Sequence, residues 1–533
     1  MTTTDAIDSD KGTSPPRAAL VLGALILVAG VANINLSVAN VALPDIGKAL
    51  DASSTQLNLI AVGYSQGLAA SVLYFGVLGD RFGRRRLLIA GMLLTLPASL
   101  IAGFAVGPNV LFAARVLGGI SAGLAYPTTL AIITALWTGA RRTGAIAAWS
   151  AIGAAISATG PVVSGALLEQ FAWQSVFLVT LPLAVLALAG AWFLVPADRG
   201  DTAVAVDNLG GVLSIVLVGA TVLAINFAPL SNMRTAVWVL AAIAVVSIVV
   251  FVWRQLRIRV PLYDFRIAAR PTFWVAAVGG IVIFGTLMGA MFVGQQYLQN
   301  VLGYSTLASG AMALPAAAAM VVVAPQSAKL VESIGSRYTL LIGYLFIILG
   351  LALALIMWHD TAPIWSVIGT YILIGAGVGF AGTPASHSLT GSVPVSRAGM
   401  ASSTSDLQRD LGGAIMQSVL GAILTAGYAK TLTAAISASP DADHVSSETQ
   451  AVLTKSFASA ADLAQRYPQY SHEIITAARD AFVHGDARAN AAAIVIVGCG
   501  ALLVAVCYPK AAKEREAMRR YATERGVSAS DDT

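Results

Sequence analysis

Asp406, Arg409 and Asp410 stand at i, i+3 and i+4 inside a long apolar stretch, a spacing that places all three on one helical face. Arg409 can pair with one carboxylate and leave the other to bind and release a proton. The alternative is a neutralised structural triad. Arg115 lies in another apolar stretch, where an ionisable side chain costs about 2.5–3.5 kcal/mol on insertion scales and so needs a reason. It either lines a polar cavity or hydrogen-bonds carbonyls of a neighbouring helix. His387 is a further titratable group in apolar surroundings, read as a satisfied structural histidine. No His/Asp metal constellation, clustered acidic diphosphate motif or P-loop occurs, so no metal, catalytic residue or ATP-driven step is expected. Cys499 and Cys507 are too far apart along one helix, about 12 Å, for a disulfide.

The elements that must position these groups follow from composition. The chain has 533 residues, 57% hydrophobic and only 11% charged, with mean hydropathy +0.77. A soluble domain carries about a quarter charged residues, so a soluble enzyme, a disordered chain and a disulfide scaffold are excluded. Runs of about 20 apolar residues, the length of one membrane span, occur near 18–43, 56–78, 87–105, 109–136, 144–168, 175–196, 208–228 and 236–253. They continue near 273–297, 308–330, 338–358, 364–390, 400–428 and 488–508. The fold class is an all-α membrane protein of fourteen transmembrane helices. No cleavable signal is evident, since the first apolar run is too long for one.

Short loops after spans 2, 4 and 8 hold Arg81, Arg84, Arg85, Arg86, Arg141, Arg142, Arg254, Arg257 and Arg259. This places those loops, and both termini, in the cytoplasm. The net charge of +5 resides in such loops and is no nucleic-acid footprint. One long segment, 430–487, falls outside the membrane. Ser447 and Gln450 have capping-box spacing. Leu453, Phe457 and Ala460 share a helical face, as do Ile475, Ala478 and Phe482 before Gly485. The expectation is a helical cap over the outer mouth, or else a partner site or substrate gate.

Leu78, Asp80, Gly83 and Arg85 recur, 252 residues later, as Leu330, Glu332, Gly335 and Arg337. Arg142 and Gly144 are echoed by Arg397 and Gly399. Two pseudo-symmetric six-helix halves with two inserted helices are therefore expected, with substrate near mid-membrane between the halves. The organisation reads as tail 1–17, first half 18–200, inserted helices 201–260, second half 261–508 and tail 509–533.

At these residues the chain resembles the major facilitator superfamily, in its fourteen-span drug:proton antiporter branch. The run from Gly76 through Asp80, Arg81, Gly83 and Arg84 to Arg86 matches the family signature between spans 2 and 3. Gly160-Pro161 and Gly165 resemble its antiporter motif in span 5, although Ser164 stands where glycine is usual. Asn40-Val-Ala-Leu-Pro44, Gly303-Tyr304-Ser305 and Gly412-Gly413 add to the match. The resemblance implies gating by Gly76, Asp80, Arg81, Gly83, Arg84, Gly160, Pro161, Gly165, Glu332, Gly335 and Arg337. It implies a cavity-lining role for Arg115, while the departures from its pattern place substrate contacts at Asn33, Asn35 and Arg115 and proton coupling on Asp410, with Asp406 second and Arg409 between them. Asn35 stands where the branch carries an aspartate, Asp410 where it carries a glutamine, and Gly118 and Gln174 are further departures.

The implied function is a proton-coupled exporter of small amphipathic compounds working by alternating access in the cell membrane. Its partners would be a small-molecule substrate and the bilayer, with no nucleic acid; it would act as a monomer, with no cofactor beyond the coupling proton. The altered cavity charges keep a facilitator or exporter of a metabolite, lipid or anion in view. A channel or polytopic enzyme is the remote alternative.

Overall fold

A computed structural model of the protein describes residues 14–52, 54–197, 206–228, 233–394, 397–439 and 445–527. The side chains of Asn40, Pro44 and Pro161 fall outside the described set, as does the expected boundary at 200/201. Among the described residues every regular element is helical. Helices α1 (Ala18–Leu50), α2 (Ser54–Phe82), α3 (Arg84–Gly103), α4 (Pro108–Leu136), α5 (Gly139–Leu168) and α6 (Ser175–Phe193) form the first half. The inserted pair is α7 (Asn208–Phe227) and α8 (Arg234–Arg257). The second half comprises α9 (Pro271–Asn300), α10 (Leu307–Ile334), α11 (Ser336–Met357), α12 (Ile364–Gly391), α13 (Ala398–Ala438) and α14 (Ser471–Cys507). A last helix, α15 (Ala511–Val527), follows. Thirteen of the fourteen spans are long and apolar enough to cross a membrane by composition alone. The fourteenth, α5, packs between α1 and α10 as a full-length member of the bundle.

Local chemistry sets the boundaries. Pro108 and Pro271 occupy first-turn positions of α4 and α9, where a missing N–H is harmless. Gly83 (φ 97°) and Gly335 (φ 88°) make the α2–α3 and α10–α11 turns in a conformation that favours glycine. They are the pair related by the 252-residue echo. Arg85 and Arg337, two residues on in each copy, donate to the carbonyls of Trp192 and Ala505 near the ends of α6 and α14. The repeat is thus structural as well as textual. It also extends further than the motif: a Cβ on Gly91 would meet Ala125 Cβ at 2.8 Å, and one on Gly343 would meet Ala381 Cβ at 2.6 Å.

Each half has its own core. Leu25, Tyr64, Leu88, Tyr126, Trp149 and Ala184 belong to the first, and Phe273, Phe284, Tyr297, Tyr344, Tyr371 and Leu420 to the second. By contrast, α8 exposes Val245, Val246, Ile248 and Val249, with Trp238 and Trp253 toward its two ends. That is a lipid-facing surface with aromatic anchors.

Two expectations change at the far end of the bundle, opposite the Gly83 turn. The segment 430–487 is not a separate loop: α13 continues to Ala438 and α14 already begins at Ser471. Gly485 does not end a helix. A Cβ there would meet the Leu424 carbonyl at 2.6 Å, so Gly485 is where α14 crosses α13. Two short helices, Ser447–Lys455 and Phe457–Arg466, lie between them. The first is capped by Ser446 rather than Ser447, through Thr449 N–H to Ser446 Oγ at 3.1 Å. Ser456 separates Leu453 from Phe457 and caps the second helix, yet Leu453, Ala460, Ala478 and Phe482 all join the second-half core.

Candidate transport pathway

The Gly83 turn locks the two halves together at its end of the bundle. Asp80 binds Arg84 at 2.8 Å, and its carboxylate also accepts the Gly399 N–H at 3.0 Å. Gly399 is in the first turn of α13, where unpaired N–H groups and the helix dipole attract an anion. Ser403 donates to the Val72 carbonyl at 2.8 Å, and a Cβ on Gly76 would meet the Gly399 carbonyl at 2.7 Å. Small residues alone permit this approach. Arg81 is half-buried, 5.3 Å from the Phe82 ring centre.

The second copy is closed differently. Ser336 occupies the position equivalent to Arg84, and its N–H donates to Glu514 Oε2 of α15 at 3.0 Å. The Glu332 carbonyl accepts from Arg515 at 2.7 Å. Burial is the chief cause that holds the Glu514 carboxyl above its usual range, with the Ser336 contacts opposing it.

Helix α5 connects the halves along its length. Gly160 faces Ser37 of α1, where a Cβ would come within 2.9 Å of Ser37 Cβ. Ser164, the departure from the motif, uses its hydroxyl to donate to the Val38 carbonyl at 3.1 Å. On its other side, Gly165 admits Leu307 of α10, while Ala147 and Ala151 pack on Ala324 and Ala328. Small residues on both faces let α5 approach two neighbours closely.

The charged triad departs from expectation. No ion pair within 4.0 Å links Arg409 to Asp406 or Asp410 among the described residues. Arg409 instead reaches across to the first half, donating to Tyr126 Oη and to Ser150 Oγ at 3.3 Å. Its guanidinium lies 4.9 Å from the Trp149 ring centre and 4.8 Å from that of Phe284, cation–π distances. Asp406 is 1% exposed, and both its oxygens lack a hydrogen-bond partner, as does Asp410 Oδ2. Buried polar atoms without partners are rare and need an explanation.

Arg115 is 2% exposed. Among the described residues no carboxylate pairs with it; Nη1 donates to the Asn35 carbonyl at 2.5 Å and Nε to the Ile60 carbonyl at 3.3 Å. Tyr64 lies under its guanidinium at 4.9 Å, and Nη2 has no partner. A narrow space lined by Asn35, Tyr64, Thr95, Ser99 and Phe177 surrounds it. Asn33 and Asn35 do not act together, because two residues along a helix is 200° of rotation. Asn35 turns into the first half and accepts from Thr180 at 3.3 Å, whereas Asn33 donates to the Gly153 carbonyl of α5 at 3.2 Å.

Sequence reasoning missed the aromatic and hydroxyl partners. Tyr126, Trp149, Ser150 and Phe284 surround Arg409, and Tyr64 is within electrostatic reach of both Arg115 and Asp410. Their types are unremarkable in apolar runs, and only tertiary structure collects them. His387 is not satisfied, since its buried Nδ1 has no partner.

Two halves of six helices, an interlocked acidic–glycine turn and buried charge between the halves define a secondary-transporter architecture. The chain belongs to the Major Facilitator Superfamily, whose family model matches residues 25–416. It is 31% identical over 497 residues to the multidrug efflux pump LfrA of Mycolicibacterium smegmatis, covering 93% of this chain and 97% of that protein. It is 33% identical over 399 residues to the multidrug resistance protein Stp of Mycobacterium tuberculosis, 74% of each chain. The methyl viologen resistance protein SmvA of Salmonella typhimurium is 28% identical over 495 residues, 90% of this chain and 96% of that one. The crystal structure of the human organic anion transporter MFSD10 shares the fold, with TM-score 0.57 at 14% identity, covering 92% of this chain and all of that one.

Proposed function

We propose that this protein exports small amphipathic compounds by alternating access, driven by protons moving inward through the second half. The basic end, with the Gly83 turn and both termini, faces the cytoplasm under this reading, because Arg81, Arg84, Arg85 and Arg86 cluster there. The observation that carries the proposal is the pair Asp406 and Asp410, whose buried oxygens lack partners although Arg409 is one helical turn from the first and next to the second. From the first turn of α13, Asp410 lies about 18 Å into the helix at 1.5 Å per residue, near mid-membrane. An unsatisfied carboxylate there either holds a proton or contacts substrate, and exchange between those states couples the two fluxes. One proton moving down 100 mV supplies about 2.3 kcal/mol, enough for a gradient of roughly 40-fold at 1.4 kcal/mol per decade.

Full-length similarity to proteins named for drug efflux and resistance supports export of compounds of that kind. The protein is taken to act as a monomer in the cell membrane, with the proton as its coupling ion. The partnerless Arg115 Nη2 favours a second reading, transport of an anionic or strongly polar solute. Inside-out vesicles energised by an imposed pH gradient test both. Accumulation of amphipathic dyes that collapses with a protonophore supports the first, and selective inhibition by organic anions supports the second.

A further inference from the structure

A second carboxylate sits outside the pathway just described. Asp486, on α14, is 1% exposed. Its Oδ2 accepts from Asn490 Nδ2 at 2.9 Å, but Oδ1 has no partner. The Tyr371 hydroxyl of α12 and the Trp358 indole N–H are buried without partners too. Asp486 is within electrostatic reach of Tyr371 and of Tyr297 on α9. Tyr297 and Trp358 stack at 4.7 Å, and Trp358 meets Tyr371 edge-on at 6.4 Å. The Tyr297 hydroxyl is already engaged, donating to the His359 carbonyl at 2.6 Å. Asp486 Oδ1, the Tyr371 hydroxyl and the Trp358 indole N–H are thus three buried polar groups without partners in one part of the second half.

Among the described residues no cation offsets the carboxylate. Arg488 donates to the Gly427 carbonyl at 3.2 Å. Lys430 and Lys455 are exposed, His484 pairs with Asp480 at 3.5 Å, and His359 is half-exposed beside Asp360. Gly485 and Gly427 bring α14 close against α13, with 2.8 Å from a Cβ on Gly427 to Gly485 Cα, and Asp486 is buried next to that crossing. A lone ionised carboxylate in such a place costs several kcal/mol, a cost that the neutral carboxylic acid avoids. From the end of α14 at Cys507, Asp486 is about 32 Å away along the helix, one hydrocarbon thickness and so at the outer boundary.

We propose that Asp486 is a second proton-binding site, at the outer end of the second half beside Tyr371. Its location, though not its chemistry, rests on the export reading above. Asp486 takes a proton from the external side and holds it near the Tyr371 hydroxyl, apart from the Asp406–Asp410 pair at mid-membrane.

The test uses the full chain reconstituted in phosphatidylethanolamine–phosphatidylglycerol vesicles and infrared difference spectra between acid and alkaline pH. The probe is the proton itself, and no substrate is required. The wild type should show a carboxylic-acid carbonyl band that Asp406→Asn/Asp410→Asn retains and Asp486→Asn loses. Tyr371→Phe should keep that band but shift it, because the neighbouring hydroxyl is gone. A spectrum of Asp486→Asn identical to wild type would overturn the proposal, in favour of an ionised carboxylate bridged by buried water. Should Asp486→Asn not accumulate, Tyr371→Phe decides alone, and an unshifted band overturns the proposal. Failure of the export reading would appear separately, as vesicles whose dye uptake ignores the pH gradient while the band persists.

Discussion

The carboxylate of Asp80 accepts the main-chain N–H of Gly399 at 3.0 Å, joining residues 319 positions apart across the two halves of the transporter. The contact holds one end of the bundle shut, and opening that end must break it. An anion at a helix N-terminus is worth about 0.3–1 kcal/mol, and up to about 2 when partly buried, small enough to be broken in each transport cycle.

Gly399→Ala should therefore disable transport without unfolding the protein. The added methyl would come within 2.6 Å of the Gly76 carbonyl carbon, and backbone cannot yield as a flexible side chain does. The expected outcome is near-normal abundance in membranes, with dye export in cells reduced at least tenfold. Normal export would show that the two halves do not need this approach.

Arg409 should matter through the first half rather than through its acidic neighbours. Tyr126→Phe removes the hydroxyl that accepts from Arg409 while keeping the ring, and Ser150→Ala removes the other acceptor. Each should slow pH-driven dye uptake by several-fold, and the two together by no more than Arg409→Gln alone. Additive losses beyond that of Arg409→Gln would mean that the three do not act as a unit.

Arg115 is expected to combine structural and functional roles. Arg115→Lys keeps the charge but cannot reach both the Asn35 and Ile60 carbonyls in the same fork geometry. Its melting temperature in detergent should fall by several degrees, with transport weakened but present. Unchanged melting would indicate that the carbonyl contacts contribute nothing to stability.

Asp207 clasps the inserted pair at the basic end. It caps α7 through Gly210 N–H at 2.9 Å and pairs with Arg254 at 2.7 Å. Burial acts to raise its carboxyl, but the Arg254, Gly210 and Gln255 contacts outweigh it and hold the group below its usual range. A lowered carboxyl contributes stability above the unfolded value, near 3.9, and loses it as pH falls through the folded one. Asp207→Asn should lower the melting temperature at neutral pH, and the difference from wild type should shrink toward pH 3. A constant difference across that range would rule out an ionic contribution.

Much of the architecture is legible in the amino acids, because each span must be continuously apolar and the loops carry the arginines. The echo of Gly83 in Gly335 foretells two turns of the same hand. What was hidden has two physical causes. Arg409 binds Tyr126 and Ser150, residues more than 250 positions away, and no local spacing announces such a contact. Asp486 was hidden because His484, Asp486 and Arg488 interrupt the apolar run, so the segment reads as a loop. In three dimensions only one face of that helix meets the core, and Asp486 is on it while His484 is not. The pairing of Arg409 with a carboxylate failed for a related reason: an aromatic and hydroxyl pocket across the interface competes successfully for the guanidinium.

The most direct measurement is accumulation of a panel of amphipathic fluorescent dyes, ethidium among them, in inside-out vesicles under an imposed pH gradient. Wild-type protein, Asp410→Asn and Asp406→Asn would be compared at matched protein amounts. Wild type should concentrate at least one dye, and a protonophore should abolish the gradient. Asp410→Asn should still exchange dye across the membrane at equilibrium but fail to concentrate it, with Asp406→Asn impaired to a lesser degree. If wild-type vesicles concentrate no dye, or Asp410→Asn concentrates dye as wild type does, proton-driven export through this pair is contradicted.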